Sequence, residues 1–337
     1  MEILTYDYSK LAIVILNWNG KKWLEKFLPS VVSFSQNANI YVIDNASTDD
    51  SILFLNEKFS QVKIIHNKEN YGFAKGYNEG LRNIKEEFYC LLNSDVEVSH
   101  NWLQPILALF EKDENIAAIQ PKILSYNDKS KFEFAGAGGG FIDNFGFPYC
   151  RGRIFFSLEK DFGQYNDTTE IFWASGACLF IREKDFWAEK GFDDYFFAHM
   201  EEIDLCWRLK NSGKKIYYSG MSTVYHIGGG TLNVNNPRKT FLNFRNNLLM
   251  LLKNLPNHKL FYVISIRLIF DGIAAFKFLF SNGFGHLWAV FTAHLNFYWK
   301  FIPYLRKRKS GITNYFDKEN IVWKYFVYDK KIYDDLD

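Results

Sequence analysis

From residue 11 onward, short continuous apolar runs alternate with stretches whose apolar residues recur at helical spacing. LAIVIL, IYVID, VKIIH and FYCLLN predict four strands covered on both faces, since an unbroken apolar run leaves no polar face for water. KKWLEKFLPSVVSF, DDSILFLNEKF and GFAKGYNEGLRNIKEE predict helices between them. This alternation implies βαβ units in an α/β chain with a mostly parallel, doubly wound sheet, which binds ligands at the carboxyl ends of its strands. A helix over roughly 101 to 112 leads to the strand AAIQPKIL. Residues 125 to 170, with AGAGGG at 135 to 140, are turn-rich and without period, as in an elaborated loop over a site. IFWASGACLFIR then predicts one strand, followed by a helix near 183 to 189, the acidic stretch HMEEIDLCWRLKNSG, the strand KKIYYSG and the strand-like STVY.

After Pro256 the pattern changes. LFYVISIRLIFDGIAAFKFLF is long enough to span a bilayer. At about 100° per residue, however, Lys259, Arg267, Asp271, Lys277, Ser281 and Asn282 fall within an arc of roughly 140°, leaving the other face to Phe, Leu and Ile. HLWAVFTAHLNFYWKF gathers His286, His294, Asn296 and Lys300 in the same way. Such helices lie in a membrane interface rather than cross it, and Arg306, Lys307, Arg308 and Lys309 would add about 1 kcal/mol of attraction per charge to anionic lipid. The alternative is a helical hairpin packed on the catalytic domain or on a second subunit. The chain thus divides into a domain over 1–245 and a helical extension over 246–337.

Composition narrows the partners. With 40 Lys plus Arg against 38 Asp plus Glu in 337 residues, no nucleic acid or other polyelectrolyte is implied. Cys90, Cys150, Cys178 and Cys206 are widely spaced, mostly in apolar runs, as buried free thiols in a reducing cytosol would be. MEILTYDYSK, with two acids before a short apolar run, does not resemble an export signal. Much of the 19% aromatic content lies after residue 240, in the extension.

Four groups of polar residues end predicted strands. Asn17 and Asn19 in NWNG suit a turn as well as a ligand. Asp44, before Ser47 and Thr48, occupies a place where an acid commonly receives hydrogen bonds from a nucleoside. Asn70 and Gly72 open a helix whose positive end can face phosphate, although Gly72, Gly76 and Gly80 also suit close helix packing. Neither GxGxxG after the first strand nor GxxxxGK[ST] occurs. Last, Asn93, Ser94 and Asp95 in LLNSDVEV could cap a turn or place Asp95 on a divalent ion that neutralises a leaving diphosphate. His226 in YHIGGGT offers a second ligand. In GFDDYFFAHMEEIDLCWRL, Glu201 and Glu202 begin a helix, where an ionised carboxylate can act as general base, or where acids simply complement the dipole. Asp204 and Arg208 are spaced for an i, i+4 ion pair, and the preceding aromatics could wall a sugar site. Zinc on His199, Glu202 and Asp204 fits no HExxH pattern. Trp173 and Gly176 complete the substrate-side candidates.

NWNG, VIDNASTDDS, NYGFAKGYNEG, LLNSDVEV, GFDDYFFAHMEEIDLCWR and YHIGGGT, in that order over about residues 10 to 245, together resemble family 2 glycosyltransferases of the GT-A fold, particularly the rhamnosyltransferase-like branch. The resemblance implies an inverting transferase that moves a sugar, rhamnose being one candidate, from a nucleotide-diphosphate donor to a hydroxyl of a glycan or lipid-linked acceptor in cell-surface polysaccharide synthesis. By the same resemblance Asp44 contacts the nucleoside, Asn93–Asp95 is the DXD equivalent with Asp95 on Mg²⁺ or Mn²⁺, and His226 is a further ligand. Glu202 holds the position of the base, with Glu201 the alternative. Two residues depart from the pattern: Asn93 replaces the first acid of DXD, and Glu replaces the commoner Asp as base. The implied location is cytoplasmic, peripheral on the inner face of the membrane. A non-catalytic, membrane-associated nucleotide-sugar binding protein is the competing class. A nucleotidyltransferase would want a basic, Gly-rich phosphate loop, of which NWNGKKW is a poor version.

Overall fold

The computed structural model describes residues 6–228, 236–309 and 311–336. Its first half follows the predicted alternation: β1 (Leu11–Asn17), α1 (Lys21–Phe34), β2 (Asn39–Asp44), α2 (Ser51–Lys58), β3 (Lys63–His66), α3 (Gly72–Leu81) and β4 (Phe88–Asn93). The unbroken apolar runs have a direct cause. Ala12 and Val14 of β1 enter one core with Ile43, Tyr77 and Leu91, while Leu11, Ile13 and Ile15 enter a second with Leu24, Leu28 and Phe110. Both faces of the strand are thus covered, and neither can be polar.

Beyond β4 come β5 (Val96–Val98), α4 (Gln104–Lys112) and β6 (Ile116–Ser125). Next are the short strands β7 (Gly140–Ile142), β8 (Pro148–Cys150), β9 (Arg153–Ile154) and β10 (Ser157–Leu158), then β11 (Thr168–Ile171), β12 (Cys178–Arg182), α5 (Glu183–Ala188), α6 (Glu201–Asn211) and β13 (Lys215–His226). The main sheet runs β11-β13-β6-β12-β4-β1-β2-β3, with β5 paired to β13. β1 to β4, β6 and β13 share one direction, while β5, β11 and β12 oppose it. The sheet is therefore mostly parallel, as expected.

Three local expectations are corrected. IFWASGACLFIR is two strands, because the chain breaks at Phe172–Ala177: Trp173 packs flat against Gly140, where a Cβ would lie 2.1 Å from the ring, and sends its indole N–H to the Phe141 carbonyl at 2.9 Å. KKIYYSG and STVY are one strand with an irregularity between Ser219 and Thr223. The aperiodic region after residue 125 holds a second antiparallel sheet, β10-β9-β8-β7, whose strands of two or three residues are too short to show a period.

The carboxyl-terminal third forms α7 (Pro237–Asn254), α8 (Leu260–Ser281), α9 (Phe284–Arg306) and α10 (Ile321–Phe326). A boundary at 245/246 falls inside α7, which lies between the catalytic body and α9 and buries Leu248 to Leu252 completely. No described helix is long and apolar enough to cross a membrane. α8 and α9 turn part of their polar faces inward, while Lys277, Ser281 and Asn282 stay exposed. Arg267 donates to the carbonyls of Phe145 and Gly146 at 3.3 and 3.0 Å, Asp271 meets Arg267 and His294 at 3.6 and 3.3 Å, and Tyr195 donates to Asn296 at 2.9 Å. Outward they present Ile269, Ile273, Phe276 and Phe280 on one helix and Phe284, Trp288, Phe291, Leu295, Tyr298 and Ile302 on the other, all exposed.

Of the basic run after α9, Arg308 is taken up by the protein, while Arg306, Lys307 and Lys309 remain exposed. Arg308 caps the end of α7 by donating to the Leu252 and Leu255 carbonyls, Lys307 pairs with Asp193 at 3.0 Å, and Lys309 lies 3.8 Å from Glu189.

Candidate active site

Asp95 sits in the tight turn between β4 and β5, and the pairing of β5 with β13 places Val96 opposite His226. Register therefore brings together two residues 131 positions apart: Asp95 Oδ1 lies 3.1 Å from His226 Nε2. The Asn93 amide nitrogen is 3.4 Å from the same ring atom. On the other side of the imidazole, Nδ1 lies 3.2 Å from Glu133 Oε2, a carboxylate the sequence reading missed because it falls in the aperiodic segment. All three ionisable groups are buried. Burial alone would lower the His226 pKa, but the flanking carboxylates outweigh it and raise it to about 10. The carboxylate and imidazole donors of Asp95 and His226 are of the kind that could hold Mg²⁺ or Mn²⁺, an ion that would have to displace the His226 proton. Among the described residues no group of three or more His, Cys, Asp or Glu side chains is placed to hold a metal ion by itself. Gly229, Gly230 and Thr231 of YHIGGGT lie outside the described residues.

At the end of β2, Asp44 is buried, accepting the Ser47 amide at 3.1 Å, with the Asn17 side-chain amide 3.4 Å away. Asn17 itself is buried and keeps its Oδ1 without a partner. Asn19 sits in a turn: at φ 50° its side-chain Oδ1 accepts the amides of Thr48 and Asp49 at 2.7 and 3.3 Å. Asn45, also unforeseen, joins Asn70 and Asn67 at 3.0 Å each.

The phosphate reading of the α3 amino end is corrected. Its amides at Phe73 and Ala74 donate to the Phe197 carbonyl at 2.7 and 3.2 Å, and Gly72, at φ +75°, lies so close to the Phe197 ring that a Cβ would stand 2.5 Å from it. The helix end holds a protein loop, not an anion.

That loop leads into α6 and is conformationally unusual: Phe197, His199 and Met200 have φ of 65°, 71° and 72°. Non-glycine residues in this region cost on the order of 1–3 kcal/mol each and persist where surrounding contacts impose them. Glu201 and Glu202 follow directly, and each has a buried Oε2 without a partner, as does His199 at Nε2. An ionised carboxylate was expected from the helix dipole. Burial prevails instead, raising Glu202 to about 7 against the opposing pull of backbone amides, and raising Glu201 well above the usual carboxylate range with the Glu202 charge adding to it. Burial likewise lowers His199 to about 4.

Asp204 and Arg208 form the expected ion pair at 2.9 Å. Their reading as substrate ligands is corrected, because protein groups consume them. Fully buried Asp204 also takes Lys253 at 2.7 Å and Asn254 at 2.8 Å from α7, and Arg208 donates to the Glu189 and Gly191 carbonyls at 2.5 and 2.8 Å. Trp173 is a core residue for the reasons given above. Gly176 does stand at the site: a Cβ there would be 4.0 Å from Glu202 Cβ. The next residue, Ala177, accepts the Asn93 amide at 3.0 Å. One short segment thus links the start of α6 to the Asn93–Asp95 turn. Ser94 is half-buried beside Gly20.

The mostly parallel sheet with Asp95 and His226 paired at strand ends has the arrangement of the GT-A fold. Residues 12–188 match the model of Glycosyl transferase family 2, and the chain belongs to that family. It is similar to Rhamnosyltransferase WbbL of Escherichia coli, 25% identical over 61% of this chain and 79% of that one. It also resembles an N-acetylglucosaminyl-diphospho-decaprenol L-rhamnosyltransferase of Mycobacterium tuberculosis, 22% identical over 64% and 75%. The crystal structure of GalNAc-T7 with UDP, GalNAc and Mn²⁺ shares the fold, with TM-score 0.55 and 17% identity over 72% of this chain and 47% of that one. The match spans only 35% of an uncharacterized Haemophilus influenzae glycosyltransferase. The fold is GT-A, and the chain is a glycosyltransferase.

Proposed function

We propose that the protein is an inverting, metal-dependent transferase that moves a sugar, rhamnose among the candidates, from a nucleotide-diphosphate donor to a hydroxyl of a glycan or lipid-linked acceptor in surface polysaccharide synthesis. The observation that carries it is the segment Gly176–Ala177, which sets Glu202 on one side and the Asn93–Asp95 turn, with His226, on the other. Glu202 takes the proton of the acceptor hydroxyl. That oxygen bonds to the anomeric carbon while the bond from this carbon to the diphosphate oxygen breaks on the opposite face, inverting the centre. Asn17, with its unpartnered Oδ1, and Asp44 line the nucleoside end. Mg²⁺ or Mn²⁺ held by Asp95 and His226 would neutralise charge on the diphosphate. Thermal shift with UDP, TDP and GDP and their sugars, with and without Mn²⁺, tests the reading. Stabilisation by one nucleotide only when Mn²⁺ is present is expected. Binding without hydrolysis or transfer of any donor would favour a silent binding protein.

We also propose peripheral attachment to the inner membrane face through the apolar stripe of α8 and α9. The support is inverted burial: Arg267 and Asp271 face the protein, while Trp288, Phe291 and Leu295 face out at spacings of three and four. A lipid-linked acceptor, as in the name of the mycobacterial relative, would lie at that surface. Trp288→Glu with Leu295→Glu is expected to weaken sedimentation with anionic vesicles by about tenfold or more, with the melting temperature held. Unchanged vesicle binding would instead point to a second subunit on this face.

A further inference from the structure

FRNN at 244 to 247 lies on α7, and one turn of that helix carries it to the strained loop before Glu202. Asn246 is fully buried, and its side-chain amide donates to the carbonyls of Phe196, Ala198 and His199 at 3.0, 2.9 and 2.7 Å. The neighbouring Arg245 donates to the carbonyls of Tyr195 and Phe196 at 3.0 and 3.2 Å. The remaining carbonyl, Phe197, is taken by the amino end of α3. Every backbone carbonyl from Tyr195 to His199 is thus drawn inward onto a donor. Such a sequence of captured carbonyls forces the peptide planes to turn, and Phe197, His199 and Met200 answer with positive φ. Left to local preference, these three residues would leave that region.

We infer that Asn246 is a positioning residue for transfer: its carbonyl clamp fixes residues 196–199 and thereby sets the depth and aim of the Glu202 carboxylate. The inference rests on the reading of Glu202 as base. Asn246 is fully buried and lies on the carboxyl-terminal extension, outside residues 12–188. A fold-stabilising role alone would lower the amount of active enzyme without changing the properties of what remains. A positioning role changes kcat per folded molecule, because displacement of a catalytic group by about 1 Å costs on the order of 10²-fold.

The test measures Asn246→Ser in the full chain, with active-site concentration counted by Mn²⁺-dependent nucleotide binding. A fall in kcat of about 10²-fold, with donor KM within roughly twofold, is expected. The pH midpoint of kcat should also move, since loosening the loop changes the burial of Glu202. A second variant covers poor folding: Asn246→Ser combined with Met200→Gly. Glycine accepts φ near 72° without strain, so the double variant should recover about tenfold in kcat if the clamp acts through backbone conformation. Normal kcat and pH profile in Asn246→Ser, or loss of kcat with no recovery in the double variant, overturns the inference. The control is Glu202→Gln: if that variant transfers sugar at the normal rate, the base reading has failed, and this is distinguishable from a failure of the clamp.

Discussion

Glu202→Gln is expected to lower transfer by about 10² to 10⁴-fold while Mn²⁺-dependent nucleotide binding stays intact. The variant keeps the volume and the hydrogen-bonding reach of the side chain and removes only its basicity. Steady-state transfer with the cognate donor, beside a thermal shift with nucleotide, separates the two properties. Glu201→Gln serves as the comparison, and a reversed pattern would move the base to Glu201. Burial that raises Glu202 to about 7 also fixes the pH dependence. The base is competent when deprotonated, so kcat rises with pH through a midpoint near 7 and falls about tenfold per unit well below it. The same burial has a stability cost. A carboxyl whose pKa is higher in the folded chain binds more protons there, so its contribution to stability declines as pH rises from the unfolded value through the folded one. At pH 8 the neutral glutamine removes that cost, on the order of 1–3 kcal/mol for a shift of this size, and the melting temperature should rise. A site residue whose removal stabilises the fold is one retained for chemistry.

The legible parts of the sequence were those governed by period and by local turn chemistry. β1, β2 and β4 could be read because both faces of each strand are covered, β3, at the sheet edge and only partly buried, from its short apolar run, and the place of Asp95 in the turn that follows β4 from the end of that run. The turn role of Asn19 was visible as one of two alternatives. Pairing across the chain was less visible. Nothing in NSD shows that β5 will pair with β13, nor that Glu133 will stand behind His226, because Glu133 belongs to a segment of strands too short to show a period. Single residues were misassigned where two physical uses share one pattern. Trp173 beside a glycine reads as a site residue and is a packed ring, Asp204 reads as a ligand and is a buried anchor for α7, and Gly72 opens a helix whose amides serve Phe197. The amphipathic period of α8 and α9 was correct, but a period does not say which face is in. Here the polar face carries bonds to Phe145, Gly146 and Tyr195, and the aromatic face is left outside.

Asp95→Ala is expected to abolish the metal dependence of nucleotide binding, with affinity in Mn²⁺ falling by at least about 10²-fold. The two proposed donors, Asp95 and His226, are not equal. Glu133 lies 3.2 Å behind His226 and would remain its neighbour when Asp95 is truncated, but an imidazole alone would supply no charge to balance a divalent ion beside a diphosphate. Asn93 cannot compensate, because its amide is neutral and its backbone N–H is engaged by Ala177. Truncation also opens a small buried void and leaves His226 facing one acid, so Asp95→Asn is the cleaner variant: it keeps shape and hydrogen bonding and removes only the charge. It should melt close to the parent without metal yet gain little when Mn²⁺ and nucleotide are added together. Glu133→Gln gives the intermediate case, weakening metal-dependent binding by about 10- to 100-fold through the orientation of His226. Titration calorimetry of nucleotide at fixed Mn²⁺ orders the three. Undiminished metal-dependent affinity in Asp95→Asn would move the ion away from the β4–β5 turn and reject the pair.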